Sequence, residues 1–468
     1  MKNERATYMS LDRMVNPRSV AVIGASENPE KIGHIILSNN ISFGFGGKIY
    51  PVNINAGDSM MGLKAYRSVL DIKAPIDLAV IAVPAEVVVQ VLDECGRAGV
   101  ASAIVVSGGF AEVGNVELQD RLTKTALKYS MPVMGPNCLG VIDPRSRVDT
   151  LFLPSFKLDK PSIGGVSFVS QSGAVGSTVL DMIDSEGFGL ARFFSYGNAA
   201  VIDEVDILNY LMRDKETRVV IFYIEGVKRG REFIEVAKKI SRVKPVVIIK
   251  GGMTEAGAKA AHSHTAALSG SSEAYKTVFR QFGLVEAKDI KDLLNFGKIF
   301  ETQPHIVGDR IAVITNGGGT GVLVTDAICN NGLRLAELSE KTKKGLRKIM
   351  PSIVNIALPL DMAGDADAKR YDEALQAVCS DENVDAVIAV ALFQTPGADS
   401  RVVSTLVKHG TLGEKPLVVI SMGGSYTKAH KTMIESGGVP VYESPDDAAA
   451  SLAALIRYSR YVHDQKTR

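Results

Sequence analysis

The sequence has little net charge and no long apolar run. Of its 468 residues, 53 are Lys or Arg and 52 are Asp or Glu, which gives a formal net charge of +1. This balance provides no electrostatic attraction for nucleic acid or for an anionic membrane surface. The longest apolar stretches are interrupted by Pro84 and Glu86, or by glycines, well short of the roughly 20 residues that a membrane-spanning helix needs. We therefore expect neither a nucleic-acid partner nor a membrane segment.

Cysteines and targeting signals are also scarce. The four cysteines, Cys95, Cys138, Cys329 and Cys379, lie far apart in the sequence and form no CxxC pair. Such scattered cysteines are typical of free thiols in a reducing compartment rather than of a disulfide framework or a zinc site. The N-terminus, MKNERATYMS, lacks the apolar core of a signal peptide. We expect a cytoplasmic protein without a bound structural metal.

Short apolar runs alternate with amphipathic stretches along almost the whole chain. The runs include SVAVIGAS, IDLAVIAVP, SAIVVSGG, VSFVSQSG, VVIFYIEG, PVVIIKGG, IAVITNGGG, VDAVIAVAL and PLVVISMGG. Continuous apolar runs that end in small residues are typical of parallel strands buried on both faces, and the alternation predicts doubly wound α/β sheets. Less periodic segments near residues 143–161 and 301–309 divide the chain. The sequence predicts three α/β domains, at residues 1–144, 145–302 and 303–468.

The first glycine turn, AVIGAS, follows the first predicted strand. Gly24 allows a tight turn there, and a helix that starts near Gly33 could present its amide groups to a pyrophosphate. The turn is not GxGxxG, and the second strand ends at Asn53 rather than at an acidic residue, which disfavours an NAD-dependent dehydrogenase. An ordinary strand-to-helix turn remains the alternative for this segment.

Two further turns have the same character. In SFVSQSGAVG, the residues Gln171, Ser172 and Gly173 stand at the start of a helix. The turn IAVITNGGGTG places bare backbone at another helix start, in the residues Asn316, Gly317, Gly318 and Gly319. Free amide groups at a helix N-terminus favour an anion such as phosphate. Each turn, taken alone, could also be a simple strand-to-helix corner.

The segment AHSHTAALSGS, residues 261–271, contains the candidate nucleophile. Imidazole titrates near neutral pH and can form a covalent phosphohistidine, and His264 stands among small residues that leave room for a reacting phosphorus. Glu225, at the end of the strand VVIFYIEG, could accept the Nδ1 proton of that histidine. Taken alone, this stretch favours a loop histidine or a metal ligand instead, and a glutamate in this position is often a helix cap or a surface ion pair.

The order of these motifs resembles one family along nearly the full chain. The chain contains, in this order, NPRSVAVIGAS, YPVN, AVPAE, VSGGF, GPNCLG, SQSGAVG, YIEG, AHSHTAALSGS, NGGGTG and GVPVYESPDDAAA. These motifs are similar to those of the α subunits of ADP-forming (NDP-forming) acetyl-CoA synthetases, within the succinyl-CoA synthetase superfamily. The resemblance implies an α/β fold in which a Rossmann-like CoA-binding domain is followed by two flavodoxin-like succinyl-CoA-ligase domains. It also implies the reversible conversion of acyl-CoA, ADP and phosphate into an acid, CoA and ATP.

The resemblance assigns roles to individual residues. His264 matches the phosphorylated histidine, Glu225 the carboxylate that orients it, and the SQSG and NGGG helix starts the pair that binds the phosphoryl group. The implied CoA-binding residues are Gly24, Ala25, Ser26, Glu27, Asn53, Val83, Pro84, Val106, Ser107 and Gly108.

Two further expectations concern partners and alternatives. No segment of the sequence resembles the ATP-grasp fold that binds ADP and Mg²⁺ in these enzymes, so the resemblance implies a separate ATP-grasp β subunit in an α₂β₂ assembly. The other substrates are CoA, inorganic phosphate and a small carboxylic acid that the sequence does not identify. The alternative from another class is a CoA-binding regulatory or scaffold protein that kept the fold without turnover.

Overall fold

The structure is a computed structural model that describes residues 11–257, 259 and 271–467. The chain divides into two compact units. The first contains the described residues of Met1–Asp184 and Gly189–Glu286, and the second contains those of Ser185–Phe188 and Ala287–Arg468.

The first unit begins with a parallel sheet. Its strands, in the order β2-β1-β5-β6-β7, are Lys48–Val52 (β2), Ser19–Ile23 (β1), Leu78–Ile81 (β5), Ala103–Val105 (β6) and Val133–Met134 (β7). A small hairpin pairs Ser59–Met60 (β3) with Leu63–Lys64 (β4). Because all neighbours in the sheet are parallel, the carboxyl ends of β2, β1, β5 and β6 meet at one edge.

Both faces of this sheet are buried, as the continuous apolar runs predict. Val20 and Val22 of β1 belong to one hydrophobic core, while Ala21 and Ile23 belong to another. Successive side chains of a strand point to opposite faces, so the two cores lie on opposite sides of the sheet. This double burial explains why apolar runs rather than alternating patterns mark the strands.

A second sheet completes the first unit. Its order is β14-β13-β12-β10-β11-β8-β9, built from Val285–Glu286 (β14), Val246–Lys250 (β13), Val219–Ile224 (β12), Ile163–Ser170 (β10), Leu190–Ser195 (β11), Gly140–Asp143 (β8) and Val148–Asp149 (β9). β8 runs antiparallel to β11 and to β9, and the other pairs are parallel. One core cluster contains residues of both sheets, among them Val20 of β1 and Phe222 of β12.

The helices of this part of the chain follow the strands. They include Ile32–Ser42 (α1), Ala85–Arg97 (α2), Val116–Lys128 (α3), Gly173–Ser185 (α4), Glu204–Arg213 (α5), Gly230–Ile240 (α6) and Ser272–Gln281 (α7), with 3₁₀ turns at Val69–Asp71 and Ala111–Val113. The sequence predicts that the first of these helices starts near Gly33, and α1 begins one residue earlier, at Ile32.

The second unit contains a parallel sheet of the same kind. Its order is β16-β15-β18-β19-β20, with β17 also paired to β15, and its strands are Arg310–Thr315 (β15), Arg334–Leu335 (β16), Leu360–Asp361 (β17), Ala386–Val390 (β18), Leu417–Ile420 (β19) and Val441–Tyr442 (β20). Its helices are Ile290–Thr302 (α8), Gly318–Asn330 (α9), Glu340–Ile349 (α10), Ala368–Cys379 (α11), Ser400–Leu412 (α12), Ser425–Ser436 (α13) and Pro445–Thr467 (α14).

A buried ion cluster lies within the second unit. The ammonium of Lys298 on α8 donates to Glu186 Oε2 at 3.0 Å, Glu435 Oε1 at 2.8 Å and the carbonyl oxygen of Val441 at 3.0 Å. The Lys298 side chain is 2% exposed. A buried ammonium with all three protons donated satisfies the rule that buried charges are paired and hydrogen-bonded.

Candidate functional site

Glu225 lies immediately after the carboxyl end of β12, and it is 5% exposed. The side-chain oxygen of Gln171, which follows β10, accepts hydrogen bonds from the backbone N–H groups of Glu225 at 2.7 Å and Gly226 at 3.1 Å. β10 and β12 are neighbours in the second sheet, so these hydrogen bonds link the ends of two adjacent strands. This arrangement fixes the backbone from which the Glu225 carboxylate projects.

The two oxygens of the Glu225 carboxylate differ in their contacts with the described residues. Tyr223 donates its hydroxyl to Glu225 Oε1 at 3.3 Å. Burial, together with the nearby Glu225 charge, raises the pKa of Tyr223 to about 12, so the phenol keeps its proton at neutral pH. Glu225 Oε2 is buried and has no hydrogen-bond partner among the described residues. Because buried polar atoms in native proteins are normally hydrogen-bonded, this oxygen is an acceptor suited to a further donor.

The SQSG turn forms the start of α4 beside this carboxylate. Ser172 Oγ accepts the backbone N–H of Val175 at 3.4 Å, and Ser170 Oγ donates to the Ser172 carbonyl at 2.6 Å. The first N–H groups of a helix have no intrahelical acceptor. Those of Gly173 and Ala174 therefore provide a partial positive charge at this end of the helix, which favours a bound anion.

A cavity of about 460 Å³ joins these features within the first unit. Gln171, Ser172, Gly173 and Glu225 line it. The lining also includes Val106, from the carboxyl edge of the first sheet, and apolar residues such as Leu139 and Phe152. The cavity combines a helix N-terminus, a buried carboxylate and an apolar wall, as a pocket for a small acid and a phosphate group requires.

The ten residues predicted to bind CoA lie after β1, β2, β5 and β6, at the carboxyl edge of the first sheet. Gly24, with φ of +94°, turns the chain after β1, and its N–H donates to the Val52 carbonyl at 2.9 Å. A β-carbon on Gly33 would stand 1.9 Å from the Gly24 carbonyl oxygen, so α1 packs against the turn at a distance that only glycine allows. Asn53 supports the same turn by donating to the Ala25 carbonyl at 2.7 Å.

The remaining predicted CoA residues form the other half of this edge. Ser107 donates its hydroxyl to the Val83 carbonyl at 2.5 Å, which ties the segment after β6 to the segment after β5. Ser26 Oγ accepts the N–H of Asn28 at 3.1 Å. The other members of this edge are Glu27, Pro84, Val106 and Gly108. Since Val106 also lines the cavity, the edge of the first sheet and the Glu225 site are continuous.

The third glycine turn belongs to the second unit, where α9 begins at Gly318. The Asn316 side chain donates to the Leu392 carbonyl and accepts the Leu392 N–H, so it joins the ends of β15 and β18. Gly317 N–H donates to Thr315 Oγ1 at 3.0 Å, while Gly319 is exposed and has open space around its α-carbon. The Asp361 carboxylate lies so close to Gly318 that a β-carbon there would be 2.5 Å from Asp361 Oδ2. Asn316 thus has a bracing role that the sequence did not predict.

The candidate nucleophile lies outside the described residues. His264 and the neighbouring His262 belong to residues 260–270, so the structure neither places them near Glu225 nor away from it. Within the described ranges, no group of three or more His, Cys, Asp or Glu residues is arranged to hold a metal ion. No helix in those ranges combines the length and apolar character needed to cross a membrane.

Sequence reasoning missed several residues of the cavity. Lys228 stands three residues beyond Glu225 and is the basic residue among those that line the cavity, where Glu225 is the acidic one. Asn198 donates its side-chain amide to Gln119 Oε1 at 3.0 Å and to Glu112. The signal for Lys228 was its place in the same strand-end loop as Glu225. Asn198 had no such local signal.

Three family models match the chain. A CoA binding domain matches residues 18–144, a succinyl-CoA ligase like flavodoxin domain matches residues 163–300, and a Ligase-CoA domain matches residues 311–464. Together with the α/β sheets and the Glu225 cavity, these matches define an acid–thiol ligase of the succinyl-CoA ligase class. The predicted fold class is confirmed.

Curated relatives and solved structures identify the family within this class. The α subunit of acetate–CoA ligase [ADP-forming] II from Pyrococcus furiosus is 38% identical, over 97% of this chain and 98% of that protein. Acetate–CoA ligase [ADP-forming] from Methanocaldococcus jannaschii is 38% identical, over 95% of this chain but 62% of that protein. A dinucleotide-forming acetyl-coenzyme A synthetase 1 from Ca. Korarchaeum cryptofilum, solved with phosphate and ADP, is 38% identical with a TM-score of 0.91, over 97% of this chain and 98% of that one. The chain belongs to the family of α subunits of ADP-forming acetate–CoA ligases.

These similarities confirm the resemblance read from the motifs. They support a ligase with turnover rather than a CoA-binding regulatory or scaffold protein, because the full-length relatives are enzymes. The domain boundaries and the individual site residues stay predictions.

Proposed function

We propose that this chain is the α subunit of an ADP-forming acyl-CoA synthetase, which interconverts acyl-CoA, ADP and phosphate with a carboxylic acid, CoA and ATP. The observation that carries the proposal is the Glu225 oxygen that has no partner among residues 11–257 and 271–467, buried beside the N-terminus of α4 in a cavity that reaches the edge of the first sheet. A carboxylate there can accept a proton from an imidazole, and the helix amides can hold the phosphate that the imidazole attacks.

The proposed reaction has three steps. Phosphate attacks the acyl carbonyl of acyl-CoA and expels the CoA thiolate, which forms an acyl phosphate. His264 then takes the phosphoryl group, and the acid leaves as a carboxylate. The phosphohistidine finally transfers the group to ADP, which yields ATP and restores the imidazole. Glu225 stabilises the positive charge of the phosphorylated ring.

The roles of the remaining residues follow from this scheme. CoA binds at the carboxyl edge of the first sheet, through the ten residues around Gly24, Asn53, Val83 and Val106. Gln171, Ser172 and Gly173 bind phosphate in the first unit. In the second unit the amides of Gly318 and Gly319 bind the phosphoryl group, at a turn that Asn316 and Gly317 shape. The domains of this scheme are residues 1–144, 145–302 and 303–468.

A second subunit is the proposed site of the nucleotide. The Methanocaldococcus jannaschii relative is longer than the part that this chain covers, whereas the Pyrococcus furiosus relative is named an α subunit and is covered almost completely. This contrast supports a division in which an ATP-grasp β subunit holds ADP and Mg²⁺, in an α₂β₂ complex. The proposed compartment is the cytoplasm, a reducing compartment suited to the free, buried Cys95 and Cys138.

Transfer of label from radioactive ATP tests the proposal. The purified chain is incubated with its ATP-grasp partner, Mg²⁺ and γ-labelled ATP. We expect an acid-labile, base-stable label on the wild-type chain, none on His264→Ala, and strongly reduced label on Glu225→Gln. Absence of label on the wild type, or equal label on His264→Ala, would refute the phosphohistidine mechanism.

A further inference from the structure

Among the described residues that line the cavity beside Glu225, Lys228 is the one basic side chain, and the family matches do not assign its role. Lys228 lies in the loop after β12, and its ammonium donates to the carbonyl oxygens of Asn198 at 2.8 Å and Ala199 at 3.0 Å. These two bonds fix the position of the ammonium at the cavity wall. Because an ammonium has three protons, one donor is left for a ligand.

The nearby acids do not pair with this lysine. The neighbouring residue, Arg229, binds Asp203, and it also binds Asp206 at 2.6 Å. Within residues 11–257 and 271–467, no carboxylate forms a direct ion pair with Lys228. Burial lowers the pKa of Lys228, while the charges of Glu204 and Asp203 act in the opposite direction without direct contact. Lys228 is an exposed residue, so the remaining donor of its ammonium is open to an anion that enters the cavity.

The anion that the reaction brings into this cavity supplies such a partner. Both the acid and the phosphate are oxyanions, and they must approach each other close to the negative Glu225. Repulsion between like charges in a partly buried site is large, and a cation reduces it. The N-terminus of α4 provides a partial positive charge, and Lys228 is the full positive charge among the lining residues.

We propose that Lys228 binds an oxyanion of the substrates, either the carboxylate of the acid or the phosphate, and positions it beside Glu225. This inference rests on the proposed function and adds a residue to it. Lys228 contributes to substrate binding rather than to the formation of the phosphohistidine from ATP.

The test compares Lys228→Met with Lys244→Met in the enzyme reconstituted with its β subunit. Lys244 is a matched control, because its ammonium also donates to two carbonyl oxygens, those of Leu211 and Asp214, and burial also lowers its pKa. Lys244 does not line the cavity. Both variants lose comparable structural hydrogen bonds, so a difference in kinetics between them isolates the role in the cavity.

We expect Lys228→Met to raise KM about tenfold to a hundredfold for acetate, for inorganic phosphate, or for both, in line with loss of a charge-assisted hydrogen bond. An effect on acetate alone assigns the carboxylate, and an effect on phosphate alone assigns the phosphate. The KM for CoA and the labelling of the chain by ATP should not change. Lys228→Arg, which keeps the charge and the donors, should restore most of the affinity.

Two results would overturn the proposal separately. The first is that Lys228→Met keeps normal ATP labelling and unchanged KM values for acetate and phosphate. The second is that Lys228→Met and Lys244→Met lose the same thermal stability and that Lys228→Met alters only kcat. Either result would show that Lys228 is only a structural link between two loops. Absence of labelling on the wild-type chain would refute the proposed function itself, and the Lys228 proposal with it.

Discussion

At the scale of single residues, the site depends on how a buried carboxylate is held. Leaving a buried polar atom without a partner costs about 1–3 kcal/mol, more when it is charged. No described residue pairs with Glu225 Oε2, while Tyr223 donates to Oε1 and the Gln171 side chain accepts the Glu225 backbone N–H. The residues around it thus orient the carboxylate without neutralising it, which preserves its ability to accept a proton.

Removal of the Tyr223 hydroxyl tests this arrangement. We expect Tyr223→Phe to slow phosphorylation of the chain by ATP about tenfold, because the carboxylate loses the donor that fixes its rotamer. The measurement is the single-turnover rate of label incorporation in the enzyme reconstituted with its β subunit.

Tyr196 provides the control for that variant. Its hydroxyl is also buried, but it has no hydrogen-bond partner in the described part of the chain, and it does not line the cavity. Tyr196→Phe should leave the labelling rate unchanged and should not reduce stability. Equal rates in both variants would show that the Tyr223 hydroxyl does not position Glu225.

The residues of the site differ in how far the sequence could predict them. Glu225 and Gln171 follow apolar strands, and the carboxyl ends of parallel strands carry ligand sites, so a local rule was sufficient. Lys228 follows the same strand, but a lysine in a loop is usually only a solvated charge, and the sequence does not show that this exposed lysine lines the cavity. The bracing role of Asn316 depends on Leu392, a contact between strands distant in sequence.

At the scale of elements, the first glycine turn shows how tightly a helix and a strand end can pack. α1 begins beside the turn after β1, and the Gly33 α-carbon lies against the Gly24 carbonyl. This packing brings the N-terminus of the helix to the edge where we propose that CoA binds. The turn therefore links the fold of the first sheet to its proposed ligand.

Substitution of Gly33 by alanine should disrupt this contact. A β-carbon 1.9 Å from the Gly24 carbonyl oxygen forces the helix away from the turn. We expect Gly33→Ala to lower the free energy of unfolding by about 1–3 kcal/mol, the usual effect of overpacking, and to weaken CoA binding. Urea denaturation and isothermal titration with CoA provide the two measurements.

Gly46 offers a comparison in the same unit. A β-carbon there meets nothing within 4 Å, and its φ is not positive. Gly46→Ala should therefore be neutral or slightly stabilising in urea, with unchanged CoA affinity. If Gly33→Ala behaves like Gly46→Ala, the close approach of α1 is not needed for the turn.

The elements themselves were largely predictable. All nine apolar runs named from the sequence contain strands, because burial on both faces leaves a continuous apolar signal. β8 and β9 were not predicted. β8 has four residues and pairs antiparallel with β11, which lies about 50 residues later, so its pairing depends on contacts that no local pattern reveals. β8 also ends immediately before Pro144, where the sequence predicts the end of the first domain.

At the scale of the whole molecule, each unit contains hydrophobic clusters of its own, with Val20 and Ala21 in two clusters of the first unit and Ala312 in one of the second. The Lys298 cluster lies in the second unit, whereas Gly33 and the Glu225 cavity lie in the first. Large chains often unfold domain by domain. Variants in each unit can therefore report on the stability of that unit.

We expect Lys298→Met to destabilise the second unit by about 3–5 kcal/mol, because it leaves the buried Glu435 carboxylate without its cation. Differential scanning calorimetry should show one transition shifted by Lys298→Met and another by Gly33→Ala. If both variants shift the same single transition, the two units unfold as one.

The core that joins the first two sheets has a consequence for protein synthesis. It contains Leu11 and Met14 near its beginning in the sequence, and Phe279 and Leu284 near its end. The ribosome releases the early residues long before the late ones, so their apolar surfaces stay uncovered while the intervening chain is made. The nascent protein is therefore most prone to aggregation until Leu284 has emerged.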